Sequence, residues 1–160
     1  MELRIAGVER ESVVDGDGIR YVIFTQGCPH RCRGCHNPQT HDPNGGQLVA
    51  LEELLEAIAR QKLIKGVTFS GGEPFLQAKA LAVLGRELRP RGYDIVTYTG
   101  YLFEELLALS GSQPEIRELL EVTDWLIDGP FILEQKTYSL SYRGSANQRL
   151  IDLRQFPIKP

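Results

Sequence analysis

Two hydrophobic rhythms alternate along the chain. Over Leu3–Val8 ("LRIAGV") apolar residues fall at nearly every second position, which predicts a short first strand. Ile19–Gly27 ("IRYVIFTQG"), dense in β-branched and aromatic residues, predicts a stronger one. After the turn-rich Asn37–Gly46 comes Ala50–Gln61, where Leu51, Leu54, Leu55 and Ile58 recur at the spacing of one helix face. Gly66–Ser70 reads as a strand, and Leu76–Pro90 as a helix with Leu81, Leu84 and Leu88 on one side, stopped by Pro90. Tyr93–Gly100 is again a strand, Leu102–Ser110 and Pro114–Val122 are helices, and Asp124–Pro130 is a last strand. No repeat, low-complexity tract or linker interrupts this order, so residues 1–160 are expected to form one domain.

Strands alternating with helices of this length predict parallel βαβ units, with helices covering one or both faces of the sheet. About four such units, an N-terminal strand and a C-terminal piece give an α/β fold, expected as a partial (open) parallel β/α barrel too short for eight units. Ligands in such folds bind beyond the carboxyl ends of the strands. Four unusual loops fall there: the cysteine segment after Gln26, "SGGEP" after Phe69, "TGY" after Tyr98 and "DGP" after Ile127.

Composition narrows the function classes. A 42% hydrophobic, 24% charged chain of 160 residues is globular, and one of this length buries roughly 70% of the surface it exposes unfolded. A net charge of -3 gives no basic field for nucleic acid. No apolar run approaches the ~20 residues of a membrane span, and the N-terminus carries no signal-peptide core. Three cysteines, an odd number in a chain without export signals, argue against a disulfide framework and for a reducing cytoplasm.

All three thiols, Cys28, Cys32 and Cys35, lie in one C-x3-C-x2-C run, which Pro29 and Gly34 turn so that the sulfurs are expected to point toward one place. Three chemistries compete. A zinc site needs a fourth ligand, for which His30, His36 and His41 are available. A redox or nucleophilic thiol needs only one or two of the three. A four-iron cluster is normally held by four thiolates, so three would leave one iron open to an outside ligand. The bland alternative, buried cysteines without a metal, sits poorly with so tight a spacing. Downstream, Gly71 and Gly72 let backbone approach a ligand closely, and Glu73 suits an ammonium group. The competing reading makes Gly-Gly a plain turn, with Glu73 and Pro74 as ordinary residues of a first helical turn.

The cysteine run followed by GGE after the next strand resembles the radical S-adenosylmethionine superfamily. The resemblance implies a [4Fe–4S] cluster on Cys28, Cys32 and Cys35, with S-adenosylmethionine chelating the open iron as the missing ligand. It implies that Glu73 with Gly71 and Gly72 takes the methionine ammonium, and that backbone around Gly34, Cys35 and His36 lines the adenine. Asn37, Ser70, Thr99 and Asp128 join this implied cofactor-binding set. The implied chemistry is reductive cleavage to a 5'-deoxyadenosyl radical that abstracts hydrogen. Val14–Cys28 ("VDGDGIRYVIFTQGC") and "CHN" at Cys35–Asn37 narrow the resemblance to activases of glycyl radical enzymes. "YTGY", "LIDGPF" and "YRGSANQRLID" are similar to the branch that serves anaerobic ribonucleoside-triphosphate reductase. The implied partners are that large glycyl radical protein and an electron donor such as flavodoxin or ferredoxin.

The chain departs from the pattern at two places. Gly34 stands where many superfamily members have an aromatic residue, a feature this branch shares, and Pro130 stands where some relatives carry lysine, which removes a charge pair to the cosubstrate carboxylate. With no further cysteines, one cluster is implied. Asp15 is a candidate for facing the partner's glycine loop, against an Asp-Gly turn as the alternative. Asp128 is weighed the same way against turn chemistry. Asn147 and Gln148 are candidates for closing the site or touching the partner. Arg31 and Arg33 are read as solvated beside the cysteines more than as a contact for the electron donor. The rival functions are activation of another glycyl radical enzyme, small-molecule radical chemistry, and a non-enzymatic zinc module.

Overall fold

The computed structural model describes residues 1–155. Seven strands form one sheet: β1 (Glu2–Ser12), β2 (Arg20–Thr25), β3 (Gln47–Ala50), β4 (Gly66–Gly71), β5 (Asp94–Tyr98), β6 (Trp125–Asp128) and β7 (Arg149–Asp152). Their order is β3-β1-β2-β4-β5-β6-β7. The four central strands, β2, β4, β5 and β6, run parallel. β1, β3 and β7 pair antiparallel at the flanks. Four parallel strands need three crossovers, one fewer than the four units the pattern suggested. The first β-strand runs to Ser12, four residues beyond the predicted alternation, because pairing with β2 continues to Ser12 opposite Arg20 through the shifts at Ile5/Gly7 and Glu9/Ser12.

Helices α1 (Leu51–Ala59), α2 (Ala78–Leu88), α3 (Phe103–Leu109) and α4 (Pro114–Val122) carry the crossovers. The predicted stripes are the buried ones. Leu54 and Ile58 of α1, Leu81, Leu84 and Leu88 of α2, and Leu119 and Leu120 of α4 join Ile23, Phe69, Ile95 and Leu126 of the sheet in one core. Those strand residues share one face, since side chains alternate along a strand. The register puts Val22, Thr68, Val96 and Trp125 side by side on the other face. That face carries no helix of the core and is instead covered at one end by the β1–β2 connection. There Arg20 is completely buried.

Candidate active site

Because β2, β4, β5 and β6 are parallel, their carboxyl ends lie along one edge, and the four loops flagged in the sequence meet there around a cavity of about 590 Å³. Cys28, Cys32 and Cys35 line it together with His36 and Asn37. Ser70, Gly71, Gly72 and Thr99 form another part of its wall. The two loops lock to each other through backbone: the Glu73 N–H donates to Gly27 O at 2.8 Å, and the Gly72 N–H to Thr25 O at 2.8 Å. A side chain at position 72 would collide with the Gly27 peptide, so glycine is required by close approach. Gly34 has a left-handed φ of +75° and abuts Leu133, which accounts locally for glycine before the third cysteine.

Glu73 does not line the cavity and is fully buried. It caps the short turn Pro74–Gln77 by accepting the Phe75 N–H at 3.0 Å. The carboxylate also takes the Gly100 N–H at 2.8 Å and the Thr99 hydroxyl at 2.9 Å. Its remaining partner is His30 Nε2, from the cysteine segment, at 2.5 Å. That imidazole packs edge-on against Tyr101 with ring centres 4.6 Å apart.

Asp128 also stands outside the cavity wall. Wholly buried, it accepts the Phe103 N–H at the start of α3 at 2.7 Å and the Arg149 guanidinium of β7. Asn147 and Gln148 act as clamps: Asn147 Nδ2 donates to Pro130 O at 2.7 Å, and Gln148 Nε2 to Gly129 O at 3.0 Å. They fasten the segment Thr137–Gly144, closed at its base by the Lys136–Ser145 bridge, beside the cavity mouth. Tyr98, half-buried in the cavity wall, donates its hydroxyl to Tyr142 O at 2.6 Å. Burial, chiefly, pushes the Tyr98 phenol up, so it stays a donor. Val13, Val14, Asp15, Tyr138 and Leu140 complete the rim. Of these, sequence reasoning named only Asp15.

None of the three thiols is in a disulfide. Burial raises the Cys28 thiol first of all, and the Glu73 carboxylate and Cys32 add to that against the backbone N–H groups of His30 and Arg31. Among the described residues no group of three or more His, Cys, Asp or Glu side chains stands close enough together to hold a single metal ion. A single-ion Cys3His zinc site needs such a group; of its candidate fourth ligands His30 meets Glu73, His36 packs on Phe131, and His41 keeps a ring nitrogen without a partner. In a four-iron cluster each thiolate takes its own iron, so three thiols lining one cavity fit it. His41 adds a second sign: it lines the cavity, and its Nε2 is buried without a partner. A buried ring nitrogen left without a partner is costly unless a bound group supplies one.

Free thiols, glycine-walled space and an unpartnered ring nitrogen at the carboxyl ends of parallel strands suit an iron–sulfur protein with one cluster. Comparison with known proteins agrees, since the model of the 4Fe-4S single cluster domain matches residues 14–151. The activating protein of anaerobic ribonucleoside-triphosphate reductase from Escherichia coli K12 is 36% identical over 150 residues, covering 89% of this chain and 94% of that one. Its counterpart from Enterobacteria phage T4 is 34% identical over 143 residues, covering 86% of each. The chain belongs to the family of anaerobic ribonucleoside-triphosphate reductase-activating proteins. The pyruvate formate-lyase-activating enzyme of Clostridium pasteurianum is 41% identical over 113 residues, 65% of this chain and 48% of that enzyme. QueE from Escherichia coli shares the fold, with a TM-score of 0.50 at 23% identity over 62% of this chain and 53% of that one. Membership brings a [4Fe–4S] cluster and S-adenosylmethionine as cofactors. No helix among the described residues is long and apolar enough to cross a membrane.

Proposed function

We propose that this chain cleaves S-adenosylmethionine reductively and generates a glycyl radical on anaerobic ribonucleoside-triphosphate reductase, in the cytoplasm, drawing its electron from a donor such as flavodoxin or ferredoxin. The observation that carries the reading is the meeting of three free thiols with a glycine-walled loop in one cavity at the ends of four parallel strands. In this reading residues 1–160 are one domain and the sheet curls as a partial barrel, helices on one side, with the cavity reached from the edge.

Cys28, Cys32 and Cys35 hold the cluster, which when bound supplies the electron and the open iron for S-adenosylmethionine. Ser70, Gly71 and Gly72 give the cosubstrate backbone to approach, and Gly34, His36 and Asn37 border its adenine. Glu73, held rigid by Thr99, Gly100 and Phe75, accepts the methionine ammonium in place of the His30 ring nitrogen. Asp128 contributes from behind, by fixing the start of α3 and the loop that follows β6. Asp15 faces the incoming glycine segment from the rim.

The test is anaerobic reconstitution with iron and sulfide, followed by dithionite and S-adenosylmethionine. The reading expects 5'-deoxyadenosine from the native chain and none from Cys32→Ala. Clean absence from the native chain, with zinc retained on purification, would overturn it in favour of the zinc module.

A further inference from the structure

We propose that Arg20 and Thr68 form a buried positioning relay that fixes the loop 13–18 for docking of the partner's glycine-bearing backbone, while taking no part in cleavage of S-adenosylmethionine. The proposal rests on the activase reading. The loop joins β1 to β2 and supplies Val13, Val14 and Asp15 to the rim of the cavity. Val13 and Val14 are each 68% exposed, so apolar packing does not hold it in place.

What holds it comes from beneath. The Thr68 hydroxyl, on β4, donates to Asp15 O at 2.8 Å. The same oxygen accepts from Arg20 Nε at 2.8 Å, which directs the hydroxyl proton toward Asp15. Arg20 Nη1 donates to Asp17 O at 2.8 Å. The other terminal nitrogen donates to Val67 O and Asp94 O, each at 3.1 Å, and pairs with the Asp94 carboxylate at 2.6 Å. Above this layer the Ser12 hydroxyl donates to the Asp15 carboxylate at 2.6 Å. Gly16, at φ +130°, lies flat on the guanidinium: a Cβ there would be 2.8 Å from Arg20 Cδ and 3.0 Å from Nε.

An arginine removed from water is costly and, unless it fixes a particular geometry, a hydrophobic residue would serve as well. Here the hydrogen bonds of its side chain go to the loop, Thr68, Val67 and Asp94, and neither Arg20 nor Thr68 lines the cavity. The geometry it fixes is that of the loop. A rim built in this way presents an acceptor carboxylate and two exposed apolar side chains on the cavity that the thiols line. That suits an extended backbone segment, whose N–H groups need an acceptor and whose small residues can approach closely.

The experiment uses Thr68→Val, nearly isosteric and lacking the hydroxyl, with Thr68→Ser as the variant that restores it. In the reconstituted chain, Thr68→Val should keep partner-free 5'-deoxyadenosine formation within about twofold. At subsaturating reductase it should slow glycyl radical formation about tenfold, the equivalent of one buried hydrogen bond, through a raised KM for reductase. Thr68→Ser should restore the rate, and the amides of residues 13–18 should exchange faster in Thr68→Val alone. Equal loss of partner-free cleavage, or unchanged radical formation, would overturn the relay. Should the native chain form no 5'-deoxyadenosine, the activase reading itself fails, and unchanged exchange in the loop would then also refute the relay.

Discussion

Gly72→Ala tests the junction between the cysteine segment and the GGE loop. A Cβ at this position would lie 2.8 Å from the Gly27 carbonyl carbon and 3.0 Å from Thr40 O, and nearer still to the Gly27 oxygen. All of these are backbone atoms, so no side chain can swing aside. Ordinary contact between such atoms is about 3.5 Å, so one backbone must move by about 1 Å. Overpacking of this kind costs about 1–3 kcal/mol. The displaced Gly27–Cys28 peptide also carries two hydrogen bonds, from Glu73 N–H to Gly27 O and from Cys28 N–H to His41 O, and weakening them adds about 1 kcal/mol. The sum, about 2–4 kcal/mol, lowers Tm by roughly 4–16 °C in a chain of this size. Since the moved peptide leads directly into Cys28, iron loading should fall in parallel. Thermal melts of the iron-free chain, with iron and sulfide counted after reconstitution, read both effects. Gly7→Ala is the control, because nothing lies within 4 Å of a Cβ there, and it should stay within about 0.5 kcal/mol of native. A Gly72→Ala chain that melts with the native one and loads iron fully would refute the reasoning.

Three further outcomes follow from the structure. Arg149→Met strips the buried Asp128 of its counter-charge and should cost about 2–3 kcal/mol, less than a fully buried pair because Arg149 is 44% exposed. This should lower the urea midpoint by about 1 M, and an unmoved midpoint would contradict it. The Arg149 guanidinium holds the Glu104 carboxyl down to about 2 from an ordinary 4.5. A depressed carboxylate stabilises the fold above its ordinary value and loses that contribution as pH falls toward 2, so Glu104→Gln should flatten the stability profile over this range. Identical acid slopes would refute it. Tyr98→Phe removes the hydroxyl that holds Tyr142 O, where the backbone has a left-handed φ of +66°. Amides of residues 137–144 should then exchange faster, and unchanged exchange would show that the segment is held by other contacts.

The helices and parallel strands were legible because each buries one regular stripe: Leu81, Leu84 and Leu88 are spaced for a helix and are all buried. The meeting of the four loops was legible too, since parallel strands place their carboxyl ends together. The flanking strands were not. Gln47–Ala50 and Arg149–Asp152 are four residues each and half exposed, and they become strands by pairing with β1 and β6. Within the site, the cysteines and glycines announce themselves by spacing, but partner choice does not. Glu73 looks free in sequence and is enclosed by His30, Thr99 and Gly100. Asp128 resembles a cavity residue and is spent on Arg149 and α3. Asn147 and Gln148 grip the Gly129 and Pro130 carbonyls with their side-chain amides, a contact between residues distant in sequence that residue type alone does not signal. Arg20 sat inside a strand pattern, and nothing in its neighbours' types signalled that it would be buried.

The most direct test of the central claim is electron paramagnetic resonance of anaerobic ribonucleoside-triphosphate reductase labelled with deuterated glycine. The reductase is mixed with the reconstituted chain, dithionite and S-adenosylmethionine. The account predicts an organic radical on the reductase whose hyperfine pattern changes with the glycine label and which requires Cys28, Cys32 and Cys35. An intact cluster that cleaves S-adenosylmethionine while the reductase stays without a glycine-centred radical would contradict it.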